Sequence, residues 1–593
     1  MPSRQKLAGS LAAVPAVLAV TVMAAALALS RYGFDLVDES YFLSLVADPG
    51  ANRDNGEIFL FGFLFHPLFA ALGDDVAVLR AVSLLALTLT AGWMAHVVLG
   101  YVEGARNAYA GNAFGRSWGI VVVAASAVSA VATNVRVPNY RTVSQLGLML
   151  VAVALVWAAR GQAKQAGLLL GSAWWLAVVG RPTTGAAVLL VVPAVLLASR
   201  LFSARLLGGC VIGAGLAAGL TMAIARMTPA QTLTYLFRGY TQNELLGGHA
   251  SIRGMLGVAT PQLTGFVALG LPVLAGAVLV DIMLSRQPRL PTVLTAASVA
   301  LFFVAVVLVV VASLRVPIDG DASVVLSMGL VIPVWALVLL GAHGRLRPTA
   351  ITEDRRLVVV LALLGVAPFL ASVGTNAPFT YTMSLASTFW VLAAVIVARR
   401  CSDSASSARR LALVTSGVCL SVPMALLAAL VTQVGLGPSG GPTRPVTVAG
   451  GSLRLATADA DVLDLLSTVG ADAGVTERTP VVDLTGIGPG YRFQLGPHPA
   501  GRPFFFGIFP GAKKAASYSL SWESCDERAL AWLIYADDNP WDVSAAFTRG
   551  AVNLNTDYER MATFSPTQGP SAWRSLQMQV LRPTPSVARK LGC

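Results

Sequence analysis

The stretch VLRAVSLLALTLTAGWMAHVVLG, residues 78–100, decides the fold class of this chain. Apart from Arg80 and His96, it is an unbroken run of apolar and small residues. An α-helix rises about 1.5 Å per residue, so a run of this length can cross the roughly 30 Å hydrocarbon core of a bilayer. The stretch therefore predicts a membrane-spanning helix.

The composition extends this prediction to the whole chain. Of its 593 residues, 55% are hydrophobic and only 12% are charged, and the mean hydropathy is +0.69. Such a chain is too apolar for the usual water-soluble folds. The net charge of +12 is spread between apolar segments instead of forming one patch, which argues against a nucleic-acid partner.

Apolar runs near 20 residues predict about thirteen membrane-spanning helices. They lie at residues 11–30, 78–100, 119–133, 143–159, 166–180, 183–199, 206–225, 263–284, 292–314, 323–342, 357–373, 381–398 and 411–433. The first run is also open to interpretation as a signal peptide, but it is long for one and lacks a convincing small-residue cleavage site. We expect a polytopic α-helical membrane protein.

Basic residues in the connections between these helices predict the orientation of the chain. Lys and Arg are more frequent in the connections on the N-terminal side, which favours a multi-pass cell-membrane protein with a cytoplasmic N-terminus. An odd number of spans then places the C-terminal part outside, and one helix more or fewer would reverse this. The predicted units are a membrane domain at 1–435 with a catalytic outer loop at 31–77, a Gly/Pro/Ser linker at 436–445 and an extracytoplasmic α/β domain at 446–593.

Mixed periodicity predicts the α/β character of the C-terminal region. VLDLLSTV at 462–469 and ERALAWLIYA at 527–536 have helical spacing, whereas PVVDL at 480–484 and PFFFGIF at 503–509 are typical of strands. GIGPG at 486–490 matches neither common phosphate-binding glycine pattern, so it predicts a turn.

Two further features of the C-terminal region have two interpretations each. Cys525 and Cys593 suit either a disulfide in an oxidising compartment or two free thiols. The aromatic residues suit a glycan-binding surface, although most of them also suit the core of a small domain. They are Tyr491, Tyr518, Trp522, Trp532, Tyr535, Trp541, Tyr558 and Trp573.

The first predicted outer loop carries acidic residues directly after the first span. GFDLVDESYFLSLVADPG, residues 33–50, contains Asp35, Asp38 and Glu39, and the apolar residues that follow suit a short helix lying on the bilayer. A carboxylate at headgroup depth can accept the proton of a sugar hydroxyl that attacks an anomeric carbon. A second carboxylate can orient the acceptor or hold a divalent cation such as Mg²⁺ or Mn²⁺.

A departing lipid phosphate develops negative charge, which arginines or a metal would stabilise. The predicted outer connections VRVPNYRT, GRPTTG and FRGY supply such residues. The candidates are Arg136, Tyr140, Arg141, Arg181 and Arg238. Each candidate also has an interpretation without a catalytic role. Acidic residues in a loop are often simply solvated, and arginines at helix ends often extend to the lipid headgroups.

These residues resemble the GT-C superfamily of membrane glycosyltransferases, in particular the branch of protein O-mannosyltransferases and lipid A aminoarabinose transferases. The segment from Asp38 to Phe42 resembles the family's Asp-Glu-x-x-Tyr pattern in the first outer loop. Pro67 in FHPLF and Arg80 in VAVLRAVSLL resemble a proline before the second span and an arginine at its start. PNYRTVSQLGLML and VGTNAPF resemble a polar entry to the fourth span and a late outer loop.

The resemblance implies an inverting transfer of a sugar from a polyprenyl-phosphate donor to a glycan, lipid or protein acceptor of the cell envelope. Asp38 would be the general base, Glu39 a supporting acceptor contact or metal contact, and Arg141 or Arg181 a contact to the donor phosphate. A divalent cation would lie at Asp38 and Glu39. The other substrate-binding candidates are Asp35, Tyr41, His66, Arg80, Tyr140 and Arg238.

Two other classes of function stay open at this point. Many spans would also suit a transporter or lipid flippase, although the predicted spans are nearly free of acidic residues and show no internal repeat. A non-catalytic envelope scaffold would not need the pair Asp38 and Glu39.

Overall fold

The structure is a computed structural model. It describes residues 16–247 except 54, 56, 105–112 and 132–134; residues 355–403 except 375–381 and 384; residue 426; and residues 442–591. The spans predicted at 263–284, 292–314 and 323–342, and all but one residue of the span at 411–433, lie outside the described residues.

Helices dominate the described residues up to 403. Their bounds are α1 (Ala16–Arg31, with a 3-10 last turn), α2 (Asp38–Ala47), α3 (Phe61–Ala71), α4 (Val76–Gly104), α5 (Ala113–Ser126), α6 (Tyr140–Ala159), α7 (Ala163–Gly180), α8 (Pro182–Ala198), α9 (Ala204–Ala225), α10 (Pro229–Leu245), α11 (Arg355–Ser372) and α12 (Thr388–Asp403). A 3-10 turn at Ala127–Ala130 extends α5. Most helices in this part of the chain therefore overlap predicted apolar runs, although α12 starts later than its run and α3 and α10 correspond to none of them.

Three of these helices are long and apolar enough to cross a membrane. They are Val76–Val102, Tyr140–Ala159 and Ala204–Ala225. The other apolar helices, such as Pro182–Ala198, are shorter. The described residues thus fit a helical membrane protein but contain fewer such helices than the thirteen predicted, and the full number stays a prediction.

Close packing between helices α7 and α9 depends on small residues. A Cβ added at Gly171 would lie 2.0 Å from the carbonyl oxygen of Cys210, and one at Gly213 would lie 2.1 Å from that of Leu168. Only glycine leaves room for backbones to approach this closely, as is common between helices in membranes. Helix α6 lies in the middle of this part, and most of its residues are buried.

The C-terminal residues 442–591, called here the tail domain, contain two sheets and short helices. A hairpin of β1 (Thr443–Val448) and β2 (Gly451–Ala456) precedes a four-stranded sheet of order β3-β4-β6-β5, in which β3 runs parallel to β4 and the other pairs are antiparallel. Its elements are β3 (Val481–Asp483), β4 (Trp532–Ala536), β5 (Tyr558–Phe564) and β6 (Met578–Pro583), with helices α13 (Thr457–Asp472), α14 (Pro489–Leu495), α15 (Ala512–Leu520), α16 (Cys525–Leu530), α17 (Ser544–Thr548), α18 (Leu554–Asp557), α19 (Ser571–Arg574) and α20 (Pro585–Leu591). This confirms a small α/β part, which begins inside the predicted linker.

Two local predictions in the tail domain are wrong. The segment 527–536 is not one helix, because α16 ends at Leu530 and β4 begins at Trp532. Strand β4 lies inside the sheet, where an almost continuous apolar run replaces the alternation of a half-exposed strand. The segment 503–509 forms no strand, and Phe506 has a left-handed backbone (φ 50°) that interrupts extended structure.

Other features of the tail domain agree with what the sequence analysis predicted or left open. GIGPG forms a turn, in which the carboxylate of Asp483 accepts the N–H groups of Thr485 (2.9 Å) and Gly488 (3.1 Å). Of the aromatic residues, Tyr491, Trp532 and Trp573 are buried, whereas Trp522 is exposed. Cys525 is disulfide-bonded.

The tail domain and residues 31–77, called here the acidic loop, share one hydrophobic core. Backbone hydrogen bonds join them: Gly33 N–H donates to Arg454 O (2.9 Å), and Gly490 N–H donates to Leu36 O (2.9 Å). At Gly490 an added Cβ would lie 2.8 Å from Leu36 Cα, so only glycine allows this contact. The tail domain is therefore packed against the acidic loop.

Candidate functional site

Helix α2 begins at the acidic residues of the loop. The Asp35 carboxylate accepts the N–H groups of Val37 (2.7 Å) and Asp38 (3.2 Å), which satisfies free donors at the helix N-terminus. Burial, together with the neighbouring charge of Asp38, raises the pKa of Asp35 to about 7. Asp38 itself is exposed on the first turn.

Glu39 is fully buried and has both carboxylate oxygens occupied. Its Oε1 accepts from Arg80 Nε (2.9 Å) and from the N–H groups of Arg136 and Val137 (both 3.0 Å), while Oε2 accepts from Arg80 Nη2 (2.6 Å). This arrangement ties α2 to α4 and to the segment that leads into α6. Glu39 and Arg80 thus position the loop. Their polar atoms are bonded within the protein, which leaves none of them open for the catalytic and metal-binding roles predicted for Glu39 or the substrate-binding role predicted for Arg80.

Tyr140 is the first residue of α6, where a capping box fixes the helix start. The Asn139 side chain accepts the N–H groups of Arg141 and Thr142, and Thr142 reaches back to Asn139. The ring of Tyr140 stacks on Phe59 with centroids 4.8 Å apart, so its orientation is set by an aromatic neighbour as well as by the cap.

Two arginines surround the Tyr140 ring. Arg141 Nε donates to the Tyr140 hydroxyl (3.0 Å), and the Arg181 guanidinium lies 4.3 Å from the ring centroid. Arg181 is 6% exposed and donates to the carbonyl oxygen of Ala371 (3.0 Å). Among the described residues, Arg181 forms no ion pair with a carboxylate. A buried guanidinium in this state favours a nearby anion, because desolvating its charge costs free energy.

Asp38 lies on the side of α2 that faces this cluster. Asp38 and Phe42 are one helical turn apart and therefore share a face. The Phe42 ring packs against Tyr140 with centroids 5.4 Å apart. The N-terminal ends of α2, α6 and α8 thus meet at the Tyr140 ring, and Asp38 and the two arginines, which lie at these ends, form the candidate site.

The other predicted substrate-binding residues have different contacts. The Tyr41 hydroxyl donates to Glu57 (2.6 Å) inside the core, and His66 Nδ1 lies 3.0 Å from Val46 O. The guanidinium of Arg238 lies 3.7 Å from the ring centroid of Trp522 in the tail domain. Of the predicted set, the structure therefore brings together Asp35, Asp38, Tyr140, Arg141 and Arg181.

The sequence analysis missed the tail-domain residues that hold the acidic loop. Arg502 forms an ion pair with Glu57, and Arg492 Nη2 donates to Ser44 Oγ (2.6 Å). A signal for the first pair was present, because Glu57 and Arg502 each stand alone beside an aromatic run, EIFLFGF and RPFFFGIF. A lone charge in such a run indicates a buried partner.

Gln568 makes a second connection from the tail domain. Its amide accepts the N–H of Leu36 (2.9 Å) and donates to Phe34 O (2.9 Å) and to Asp459 (2.9 Å). These contacts hold the backbone on both sides of Asp35. No sequence pattern indicates them, because the residues are far apart in the chain.

A divalent cation would have two exposed or half-exposed carboxylates to contact, those of Asp35 and Asp38. In the part of the chain that the structure describes, no group of three His, Cys, Asp or Glu residues is arranged so that it could hold a metal ion. Comparison with known proteins adds no family to this geometry. Neither a known protein family nor a curated protein matches the chain.

Proposed function

We propose that the chain transfers a sugar from a polyprenyl-phosphate donor to a glycan, lipid or protein acceptor outside the cytoplasm, with inversion at the anomeric carbon. The observation that carries the proposal is the position of Tyr140, which contacts Phe42 on the Asp38 face of α2 and also contacts Arg141 and Arg181. An inverting transfer requires a base for the acceptor hydroxyl and an anion-binding group for the departing phosphate.

In this mechanism the acceptor hydroxyl oxygen attacks the anomeric carbon of the donor. The Asp38 carboxylate takes the hydroxyl proton while the bond between the anomeric carbon and the phosphate oxygen breaks. The electron pair leaves with the polyprenyl phosphate, whose charge Arg141 and Arg181 stabilise. Glu39 acts through its contacts with Arg80 and the Arg136 backbone by holding α2 in place.

We further propose the membrane orientation that this reaction needs, with the tail domain and acidic loop outside and about thirteen spans in all. The disulfide at Cys525 suits an oxidising compartment. After reduction, an impermeant thiol reagent should label Cys525 in intact cells. Labelling that requires lysis would contradict this orientation.

The test of the function compares Asp38→Asn with Asp74→Asn, an exposed aspartate of the same loop. Membranes carrying each variant are incubated with lipid-linked sugars extracted from the producing cells and labelled in the sugar. We expect Asp38→Asn to lower transfer about 10²- to 10⁴-fold, the range of general base catalysis, and Asp74→Asn to leave it unchanged. Undiminished transfer by Asp38→Asn would remove this residue from the mechanism.

The same assay separates the other classes of function. A flippase would move the labelled lipid between leaflets without changing the sugar's attachment. A scaffold would support the envelope equally well with Asp38→Asn. Asp38 is the suitable residue for this comparison because Glu39 is a buried structural contact, so its loss would also disturb folding.

A further inference from the structure

Helix α10 has its apolar side turned outward. Leu233 is 57% exposed, Phe237 69% and Tyr240 61%, and their spacing places them on one face. The opposite, buried face is smaller and more polar. It consists of Thr232, Tyr235, Gly239 and Gln242. A surface helix in water has the reverse arrangement, so water is not the solvent that suits the outer face of α10.

The orientation of α10 is fixed by specific contacts on its inner face. The Tyr235 hydroxyl donates to Phe59 O (2.8 Å), and Gln242 Nε2 donates to Ala515 O (2.8 Å). A Cβ at Gly239 would lie 2.7 Å from Glu57 O, so the helix lies directly on the acidic loop. Rotation of α10 to bury its apolar face would break all of these contacts.

The apolar face of α10 follows directly on that of α9 in the chain. Helix α9 is one of the three helices apolar enough to cross a membrane. Leu207, Val211, Leu216 and Leu220 of this helix are each at least half exposed. Residues 226–228 form the turn between the two helices, in which Arg226 has a left-handed backbone (φ 52°). The two exposed apolar surfaces are therefore neighbours along the chain.

The inner contacts of α10 also place it beside an aromatic and cationic pair. The Arg238 guanidinium lies 3.7 Å from the ring centroid of Trp522, which is 43% exposed. Tryptophan and arginine are favoured at the level of lipid headgroups, where one part of each side chain is apolar and the other is solvated.

We propose that α10 lies in the boundary between headgroups and acyl chains of the bilayer, at the C-terminal end of α9, where Arg53 of the acidic loop contacts Ala225. Leu233, Phe237 and Tyr240 enter the acyl region, and Trp522 of the tail domain lies at headgroup depth. The partner is a lipid surface. This inference stands without the proposed sugar transfer.

The test replaces Phe237 by the photoreactive residue p-benzoylphenylalanine in the full chain, reconstituted in vesicles of phosphatidylglycerol and phosphatidylethanolamine. The matched controls carry the same residue at Glu244, an exposed polar position of the same helix, and at Leu216 on α9. After irradiation, mass spectrometry identifies the adducts.

We expect phospholipid adducts, seen as a mass shift of one lipid, at Phe237 and Leu216 but not at Glu244. Adducts between position 237 and residues 248–354 would show that the chain itself covers this face. Adducts with another polypeptide, or no adduct at all, would indicate a protein partner or water. Any of these three outcomes would overturn the proposal, whether or not the protein transfers sugars.

Discussion

Arg502 of the tail domain and Glu57 of the acidic loop form a buried ion pair, with Arg502 Nε 2.7 Å from Glu57 Oε1 and Arg502 Nη2 2.9 Å from Glu57 Oε2. Their side chains are 3% and 0% exposed. Tyr41, one turn along α2 from the catalytic candidate Asp38, donates its hydroxyl to the same carboxylate. The pair therefore couples the tail domain to the helix that carries the proposed base.

Removing one partner of this pair should destabilise the protein strongly. We expect Arg502→Met to lower the free energy of unfolding by about 3–5 kcal/mol, because Glu57 would be left as a buried charge without a partner. The exposed pair Arg582 and Glu559 is the control, and Arg582→Met should cost no more than about 1 kcal/mol. Denaturation of both variants in the same detergent measures the difference, and equal losses would contradict this account.

Arg181→Gln should weaken binding of the lipid-linked donor. A hydrogen bond to a charged group contributes about 1.5–3 kcal/mol, so we expect kcat/KM for the donor to fall roughly tenfold to a hundredfold. Arg181→Lys should recover only part of this loss, because lysine keeps the charge but not the planar contact with Tyr140. Arg205, exposed beyond the far end of α8, is the control. A loss as large for Arg205→Gln would exclude a specific phosphate contact.

Gln568→Ala should reduce transfer while the protein still folds and inserts. The substitution removes the amide that holds the backbone on both sides of Asp35, so we expect kcat to fall more than the KM for the donor rises. Gln577→Ala is the matched control, since Gln577 is exposed and contacts Ser565 within the tail domain. Unchanged kcat in Gln568→Ala would show that the loop keeps its position without this contact.

The contact between His498 and Asp48 should make stability depend on pH. The hydrogen bond between His498 Nδ1 and Asp48 Oδ2 (3.0 Å) raises the pKa of His498 above the ordinary value of 6.5. Burial raises the pKa of Asp48, but the hydrogen bonds from His498 and from the Ala51 N–H, together with the charges of His498 and His66, outweigh burial and lower this pKa below 3.8. The stabilisation is therefore lost as pH rises through the folded-state pKa of His498, and also as pH falls through that of Asp48.

Thermal unfolding between pH 5 and pH 9 checks this expectation. The Tm of the unmodified protein should exceed that of His498→Asn most near the acidic end of that range. This difference in Tm should shrink as the imidazole loses its proton. Asp48→Asn should remove the same dependence. A difference in Tm that stays constant across the range would show that the two residues contribute only packing.

The sequence predicted most helices before residue 403 because a long apolar run has few alternatives to a membrane-type helix. It also predicted the acidic start of α2 and the residues around Tyr140, since polar residues at the ends of apolar runs are conspicuous. The sequence could not show which of Asp38 and Glu39 is exposed and which is buried. Neighbouring residues on a helix point in different directions, and only the fold determines that one meets Arg80 in the core while the other stays exposed.

The tail domain was harder to predict because one of its strands is buried on both faces and its key pairings join distant parts of the chain. Both faces of strand β4 are covered, since Trp532 and Ile534 pack in one hydrophobic core and Leu533 in another, so its residues lack the alternation that separates a strand from a helix. Arg492 and Arg502 were missed because their partners, Ser44 and Glu57, are more than 400 residues away along the chain. A lone charge beside an aromatic run, such as Glu57 or Arg502, indicates a buried partner but does not indicate which residue the partner is.

The contact between Leu36 and Gln568 spans 532 residues of chain, which has a consequence for biosynthesis. Helix α2 emerges early from the ribosome, whereas Gln568, which holds the backbone before this helix, is among the last residues to be made. This region of the nascent protein therefore lacks its native contacts throughout most of translation. During that time Glu57 has no counter-ion and the aromatic residues beside it are uncovered. A chain that terminates early would present this unfinished surface to quality-control proteases.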